Sequence, residues 1–425
     1  MARISSNVSG TGLVVDLQTT LDLIITAAGS VVSDTSGVNS GNAVRGFGSG
    51  HDVQVFGSVY GESHGVWLGN GLAQTAQTLL VDSHASISSL NQGTVLYGSG
   101  SRLTNNGSIY GGEFGVVMGG IGGSSTVINR GFIDAGDTAI LAEGGNTQTL
   151  TITNFGAITG AAFAFQAFSP TTVSVEIINN RGSMVGSIDF GAGADVYDGR
   201  FGTVDGTILG GIGADTFRVG AGIEVIDGGA DADLLDFRLS TGVRVALDGS
   251  VQNSGVAAGD IYTNIENLYG SLTGADTLIG DALANKIRGY DGVDSIAGGG
   301  GNDVLIGGIG KDKMTGGTGS DSFYFSTKTE AGDVISDFSN ISGNDDRFMI
   351  QTTLGGGLTA GVLAATAFQS RADNIAQDST DRFIFRTTDK TVWFDADGSG
   401  SGAAYMVADL QSTAVVTAAD FMIFV

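Results

Sequence analysis

The chain has 425 residues, 72 of them Gly, one Pro and no Cys, with 41% hydrophobic residues and a net charge of −25. Glycine at about 17% beside almost no proline excludes collagen, and the apolar content excludes a Gly/Ser/Pro linker protein. Without cysteine there are no disulfides or thiolate metal sites, and the excess of acids argues against nucleic acid, whose phosphates need clustered Lys and Arg. The acid excess is concentrated: residues 1–185 hold 11 acids and 5 bases, residues 186–425 hold 33 acids and 14 bases, and the first Lys is Lys286.

Residues 1–190 carry a repeat of the form apolar-x-Asn-x-Gly-x-apolar. Its clearest copies are Leu103–Ile109, Val127–Ile133, Ile152–Ile158 and Ile178–Met184. Weaker copies surround Gly29, Gly57 and Ala85, so the centres lie at 29, 57, 85, 107, 131, 156 and 182, spaced by 22 to 28 residues. A second apolar patch follows each of several centres by about ten residues, as in Val66-Trp67-Leu68 and Val116-Val117-Met118. Each repeat thus reads as two or three short strands between Gly/Ser/Asn turns, and none buries its apolar face alone. Stacking them in parallel buries one continuous core, which predicts a parallel β-helix. Asn105, Asn129, Asn154 and Asn180 share one position in four consecutive coils and are expected to form an asparagine ladder. A row of ligand-binding amides is the other reading.

Residues 191–326 change period. Asp276, Asn285, Asp294, Asp303, Asp312 and Asp321 are spaced by nine residues, each followed two residues later by an apolar residue: Leu278, Ile287, Ile296, Leu305, Met314, Phe323. Glycines hold the first position of most units (Gly280, Gly289, Gly298, Gly307, Gly316) and the fourth (Gly274, Gly292, Gly301, Gly310, Gly319), with Leu283 the exception. The unit Gly-Gly-x-Gly-x-Asp-x-apolar-x resembles the RTX repeats of secreted bacterial proteins, whose nonapeptide binds calcium. Calcium takes six to eight oxygens, which a glycine-rich turn supplies as carbonyls and the Asp as carboxylate. Two units make an 18-residue turn of a β-roll, so ions are expected between residues 18 apart: 276/294, 285/303, 294/312 and 303/321. Asn285 is expected to make the weaker site. Gly289, Gly298, Gly300, Gly307 and Ile309 are expected carbonyl donors, and Asp291 a carbonyl or carboxylate donor. Upstream, Asp215 and Asp233 repeat the motif 18 residues apart with Glu224 midway, and predict one more site; Asp195 looks similar but out of phase.

Residues 327–425 read as a β cap. Together with the repeats, roughly residues 270–425 are similar to the C-terminal domain of serralysin-type secreted metalloproteases. That resemblance implies export through type I secretion machinery by an uncleaved C-terminal signal, here ending Asp420-Phe-Met-Ile-Phe-Val425. The same ending also reads as a last core strand. The protease's His-Glu-x-x-His is absent, and His51, His64 and His84 share no position in the repeat. Asp395-x-Asp397-x-Ser399-Gly400 copies the start of an EF-hand loop, but its twelfth position is Met406 rather than Glu, leaving a turn of weak calcium affinity as one option.

The fold class expected is therefore all-β: parallel β-helix (1–190), calcium-binding parallel β-roll (191–326) and C-terminal cap (327–425). No run of 18 apolar residues exists, so no span of the membrane by a helix is expected. The first ten residues lack the apolar core of a cleavable signal peptide. The function expected is a calcium-dependent, secreted, non-enzymatic structural protein that associates with itself as an S-layer, filament or adhesive matrix, with cell-surface polysaccharide as a further partner. The alternative is a polysaccharide lyase or epimerase, since parallel β-helices joined to RTX arrays resemble such enzymes. Asp134 with Asp137, and Arg130 with Arg181 two coils apart, are the residues it would draw on.

Overall fold

The computed structural model describes residues 2–11, 14–17, 22–34, 41–71, 73–144, 148–168 and 174–425. Pro170 and Leu13, with Met1, lie outside them. The protein is all-β, with parallel sheets and only single three-residue 3-10 turns among the described residues. It divides into two compact units, Met1–Asp233 with Asp260–Asn264, and Leu234–Gly259 with Ile265–Val425.

The first unit is a parallel β-helix with three strand ladders. The first face runs from Ala2–Ile4 and Leu23–Ile25 through Arg102–Asn105 and Val175–Asn180 to Thr216–Arg218. The second runs from Asn7–Thr11 to Thr203–Asp205, and the third from Val15–Leu17 to Ile261–Thr263. Side chains alternate in and out along each strand, so like positions stack into buried columns. On the first face Val53, Leu79, Leu103, Val127, Ile152, Ile178, Tyr197 and Phe217 are paired in register, each at most 1% exposed. Described strands of the second face end at Thr203–Asp205. The described ladders beyond it continue on two faces, with Thr207 and Val225 at equivalent positions 18 residues apart.

The asparagine ladder is structural. Asn105, Asn129 and Asn154 each donate from Nδ2 to the Oδ1 of the next, at 2.8, 2.9 and 2.9 Å, ending on Asn180, and all four are fully buried. The same amides also donate to carbonyls of the next coil, while Oδ1 of Asn154 accepts the Gly156 amide. Breaking a buried network strands its remaining donors and acceptors, so Asn154→Ala should cost about 2–3 kcal/mol, read as a lower denaturant midpoint in saturating calcium.

The second unit has two parallel ladders joined by turns. Phe421–Phe424 pairs with Arg347–Gln351, so the chain's end is a core strand with Phe421 and Ile423 buried. Tyr405–Leu410 joins the other ladder in parallel beside Asp333–Ile335, and Thr391–Phe394 and Phe383–Arg386 extend it as antiparallel strands. Stacked rings of Phe338, Phe348, Phe421 and Phe383, with centroids 4.5 to 4.8 Å apart, fill the cap. No helix among the described residues is long and apolar enough to cross a membrane.

Candidate metal centre

The nonapeptide's spacing becomes register. Lys286, Val304 and Ser322 are paired neighbours on one ladder, and Thr277, Ser295 and Lys313 on the other. Residues 18 apart therefore stack, and the six motif residues Leu278, Ile287, Ile296, Leu305, Met314 and Phe323 are at most 1% exposed.

Two different constraints account for the glycines. At the second position the backbone is left-handed, with φ of 108°, 105° and 105° at Gly299, Gly308 and Gly317, and the fourth-position Gly301 is at 99°. These are conformations only glycine adopts without strain. First-position glycines are needed for space. A Cβ on Gly289, Gly298, Gly307 or Gly316 would collide with Oδ2 of the aspartate five residues on, Asp294, Asp303, Asp312 or Asp321. At Gly289 and Gly298 it would also meet the carbonyl oxygen of the glycine one turn later, Gly307 and Gly316. A carboxylate oxygen and a carbonyl oxygen thus face one small space, kept open by the missing side chain.

The aspartates themselves form two ladders of residues 18 apart. Oδ1 of Asp294, Asp303, Asp312 and Asp321 accepts the backbone amide of Asp276, Asn285, Asp294 and Asp303 respectively, each at 2.8 Å. Oδ2 of the same four is buried with no hydrogen-bond donor. An unpaired buried carboxylate oxygen is costly unless it takes a proton or a cation. Burial accordingly pushes Asp294 and Asp303 up to about 7 and Asp312 to about 6, against the stabilising amide each accepts.

The first unit supplies an internal control. At the equivalent corner of its earlier coils the same amide is satisfied by neutral groups: His51 donates to Gln77 Oε1, Gln77 to Ser101 Oγ and Ser101 to Ser125 Oγ, at 3.1, 3.1 and 3.2 Å. A hydroxyl or amide therefore suffices for the backbone. Acids enter the corner only later, where Glu176, Asp195 and Asp215 donate their amides to Asp195, Asp215 and Asp233 at 2.6, 2.7 and 2.8 Å. Buried carboxylates at this corner provide more than a turn requires, namely an anionic oxygen for a cation.

The predicted residues divide by what holds them. Asp215 has its Oδ2 buried without a donor beside Gly210 and the Gly228 carbonyl, and it stacks on Asp233. Both oxygens of Asp276 are taken, Oδ1 by the Val243 amide and Oδ2 by the Ser271 amide. The Asn285 side chain accepts from Asp281 and donates to the Ile265 carbonyl. Carbonyls of Asp291 and Ile309 already accept the amides of Gly274 and Gly292, and Gly300 donates to Asp281. Asp195, which looks out of phase in sequence, is in the ladder, because the turn that follows it has 20 residues rather than 18. Sequence reading missed Asp333 and Asp346, which accept the amides of Asp312 and Asp321 across turns lengthened to 21 and 25 residues. It also missed Glu176 and Asp260, the latter accepting the Glu224 amide 36 residues upstream. Gly332-Asp333-Val-Ile335 carries the Gly-x-apolar signal that would have found the first.

The other candidates do not assemble. His51 sits at the inner corner and donates its backbone amide to Gln77, while His64 stacks on Trp67 with its ring driven down to about 4 by burial. His84 lies in a turn against Ser83. Asp397 accepts the Gly402 amide, closing the EF-hand-like loop on itself. No group of three His, Asp or Glu side chains converges among the described residues. The donor set on offer is one carboxylate per unit with turn carbonyls, all hard oxygens, which is what calcium prefers.

The different states of Asp303 and Asp276 yield a prediction. Asp303→Ala removes a free oxygen within the array and the acceptor for Asn285. Asp276→Ala removes a carboxylate that the protein already satisfies. By calorimetric titration, Asp303→Ala should weaken the affected sites tenfold or more, about 1.4 kcal/mol or above, and Asp276→Ala by less. Equal losses would overturn the assignment.

Comparison with known proteins agrees with this geometry. The family model for the RTX calcium-binding nonapeptide repeat, in four copies, matches residues 207–238, 272–305 and 288–323. No curated protein matches the chain. RTX repeats are typical of secreted proteins. The roll is an RTX-type array, and its repeats bind calcium.

Proposed function

We propose that the protein is a calcium-switched extracellular structural protein. It is exported through a type I channel as an unfolded, acidic chain and assembles with itself where calcium is plentiful. The observation that carries this reading is the two columns of buried carboxylate oxygens without donors, Asp294 with Asp312 and Asp303 with Asp321, which disfavour the metal-free roll at neutral pH. Calcium at low concentration leaves the chain loose enough to thread, and calcium outside closes the roll. The ions are held by these four carboxylates, with Asp215, and by the facing glycine carbonyls. The terminal strand Phe421–Phe424 serves as a recognition segment before folding and as a core strand afterwards. We read the β-helix as a scaffold rather than a catalyst. Its ladders are filled by aliphatic columns and its inner corner by Ser, Gln and Asn, all engaged in stacking. Electron microscopy of the purified chain in millimolar calcium and in chelator tests the proposal: ordered sheets or filaments are expected only with calcium.

A further inference from the structure

One corner of the β-helix unit departs from the polar rule of the others. The residue after each ladder asparagine forms an outer column at the end of the first face. Asn106 holds it in one coil, followed in the next three by Arg130, Phe155 and Arg181. Phe132 opens a strand of the second face where other coils have Ser86, Ser108 or Ser183, and Phe201 lies in the turn one coil beyond Arg181. Phe132, Phe155 and Phe201 are 66, 48 and 64% exposed.

Cations are interleaved with these rings. The Arg130 guanidinium lies 5.4 Å from the Phe155 centroid, and Arg181 and Arg200 lie 5.1 and 5.5 Å from that of Phe201. Arg200 is neutralised by Asp198 at 2.6 Å. Arg130 and Arg181 are exposed and make no ion pair among the described residues. Asp134 and Asp205 are the acids nearest in sequence on the adjoining face, each two residues into its strand. Stacking a guanidinium on a ring occupies its face and leaves its edge N–H donors pointing outward, the geometry that pairs with a carboxylate in two parallel bonds. At physiological salt, charges beyond about 8 Å are largely screened, so the groups of the corner itself, rather than the chain's net charge, set the local field.

We propose that this corner binds a linear polysaccharide carrying carboxylates. The phenylalanine faces stack against the C–H faces of sugar rings, and Arg130 and Arg181 pair with acid groups two coils, about 10 Å, apart. Coil spacing is close to the rise of one sugar unit in an extended chain, so a polymer lying along the coils meets a ring or a guanidinium at each step. This stands apart from the assembly reading, since it needs only the folded β-helix.

The test uses the full chain in saturating calcium, diluted until it sediments as a monomer. The probe is hyaluronan fragments, a uronic-acid polymer, with dextran and dextran sulfate as neutral and sulfated controls. Hyaluronan should bind, dextran should not, and dextran sulfate should bind more weakly. Arg130→Gln with Arg181→Gln, and separately Phe155→Ser, should each weaken hyaluronan binding at least tenfold with an unchanged circular dichroism spectrum. Binding to dextran equal to that of hyaluronan would overturn the proposal. So would unchanged hyaluronan binding by both variants. A double variant that loses self-association while keeping hyaluronan binding would assign the corner to a second copy instead, and overturn it too.

Discussion

In chelator at pH 8 the full chain should lose the β-signal of residues 191–326 while the coils before Val175 keep theirs, and millimolar calcium should restore it. Four carboxylate oxygens, on Asp294, Asp303, Asp312 and Asp321, are buried without a donor, and those of Asp294 and Asp303 share their space with the carbonyl oxygens of Gly307 and Gly316. An ion bound at a hundred times its dissociation constant stabilises the folded state by about 2.7 kcal/mol, and four such ions by about 11 kcal/mol. That is the size of a whole domain's stability, about 5–15 kcal/mol, so removing calcium should unfold the roll rather than loosen it. The pH dependence has a definite sign. In the metal-free roll, burial raises Asp294 and Asp303 to about 7 and Asp312 to about 6. Folded values above the ordinary value of about 4 mean that the protonated groups favour the folded state. That contribution is fully present below the ordinary value and is lost as pH rises through 6 to 7. In chelator the roll should therefore hold more structure at pH 5 than at pH 8. In calcium the order reverses, because protons compete with the ion, and the apparent affinity should climb between pH 5 and 8. Circular dichroism across both titrations decides, and spectra indifferent to calcium at pH 8 would refute the mechanism.

How much of this was legible in the sequence depends on where periodicity is strict. From Asp276 to Asp321 the nine-residue step never slips, so the stacking of residues 18 apart and the burial of Leu278 through Phe323 follow by counting. The asparagine ladder was equally readable, because Asn105, Asn129, Asn154 and Asn180 hold one place relative to a glycine. Insertions hid the rest. Asp195, Asp333 and Asp346 each accept the amide of the preceding acid of their own column, but turns of 20, 21 and 25 residues carry them out of step, and only hydrogen bonding restores the alignment. The surroundings of Asp276 were hidden for a different reason: its hydrogen bonds from Ser271 depend on a turn conformation that no count of residues specifies. The arginine–phenylalanine corner was half visible, as two arginines at equivalent places. The rings beside them became meaningful once Phe155 and Phe201 proved exposed.

Calcium should also turn a monomer of 42.9 kDa into ordered sheets or filaments that chelator dissolves. Among the described residues, three short strands make the outermost coil of the β-helix. Ala2–Ile4 pairs with Leu23–Ile25, Asn7–Thr11 with Ser30–Asp34, and Val15–Leu17 with Asn42–Gly46. Among the described residues none of these three strands has a partner on its other side. Of their inward residues Leu17 is buried but Ile4, Val8 and Val15 are only half-buried, whereas Leu23, Ile25, Val31 and Val44 in the next coil are at most 1% exposed. An open parallel edge with a part-exposed core is a template for another chain, and soluble solenoids ordinarily cover it with a polar cap. Calcium contributes by lowering the charge of −19 carried by residues 186–425, and so the repulsion between copies. Deleting the first coil is a poor test, because it exposes the fully apolar second coil. Val8→Lys with Val15→Lys is better: inward-pointing charges protect an edge while leaving its backbone in place. Sedimentation in millimolar calcium should show large assemblies for the native chain and mostly monomer for this variant, with the calcium-dependent circular dichroism signal unchanged in both. A native chain that stays monomeric at high concentration in calcium would rule out assembly through this edge and leave the calcium roll as a folding switch alone.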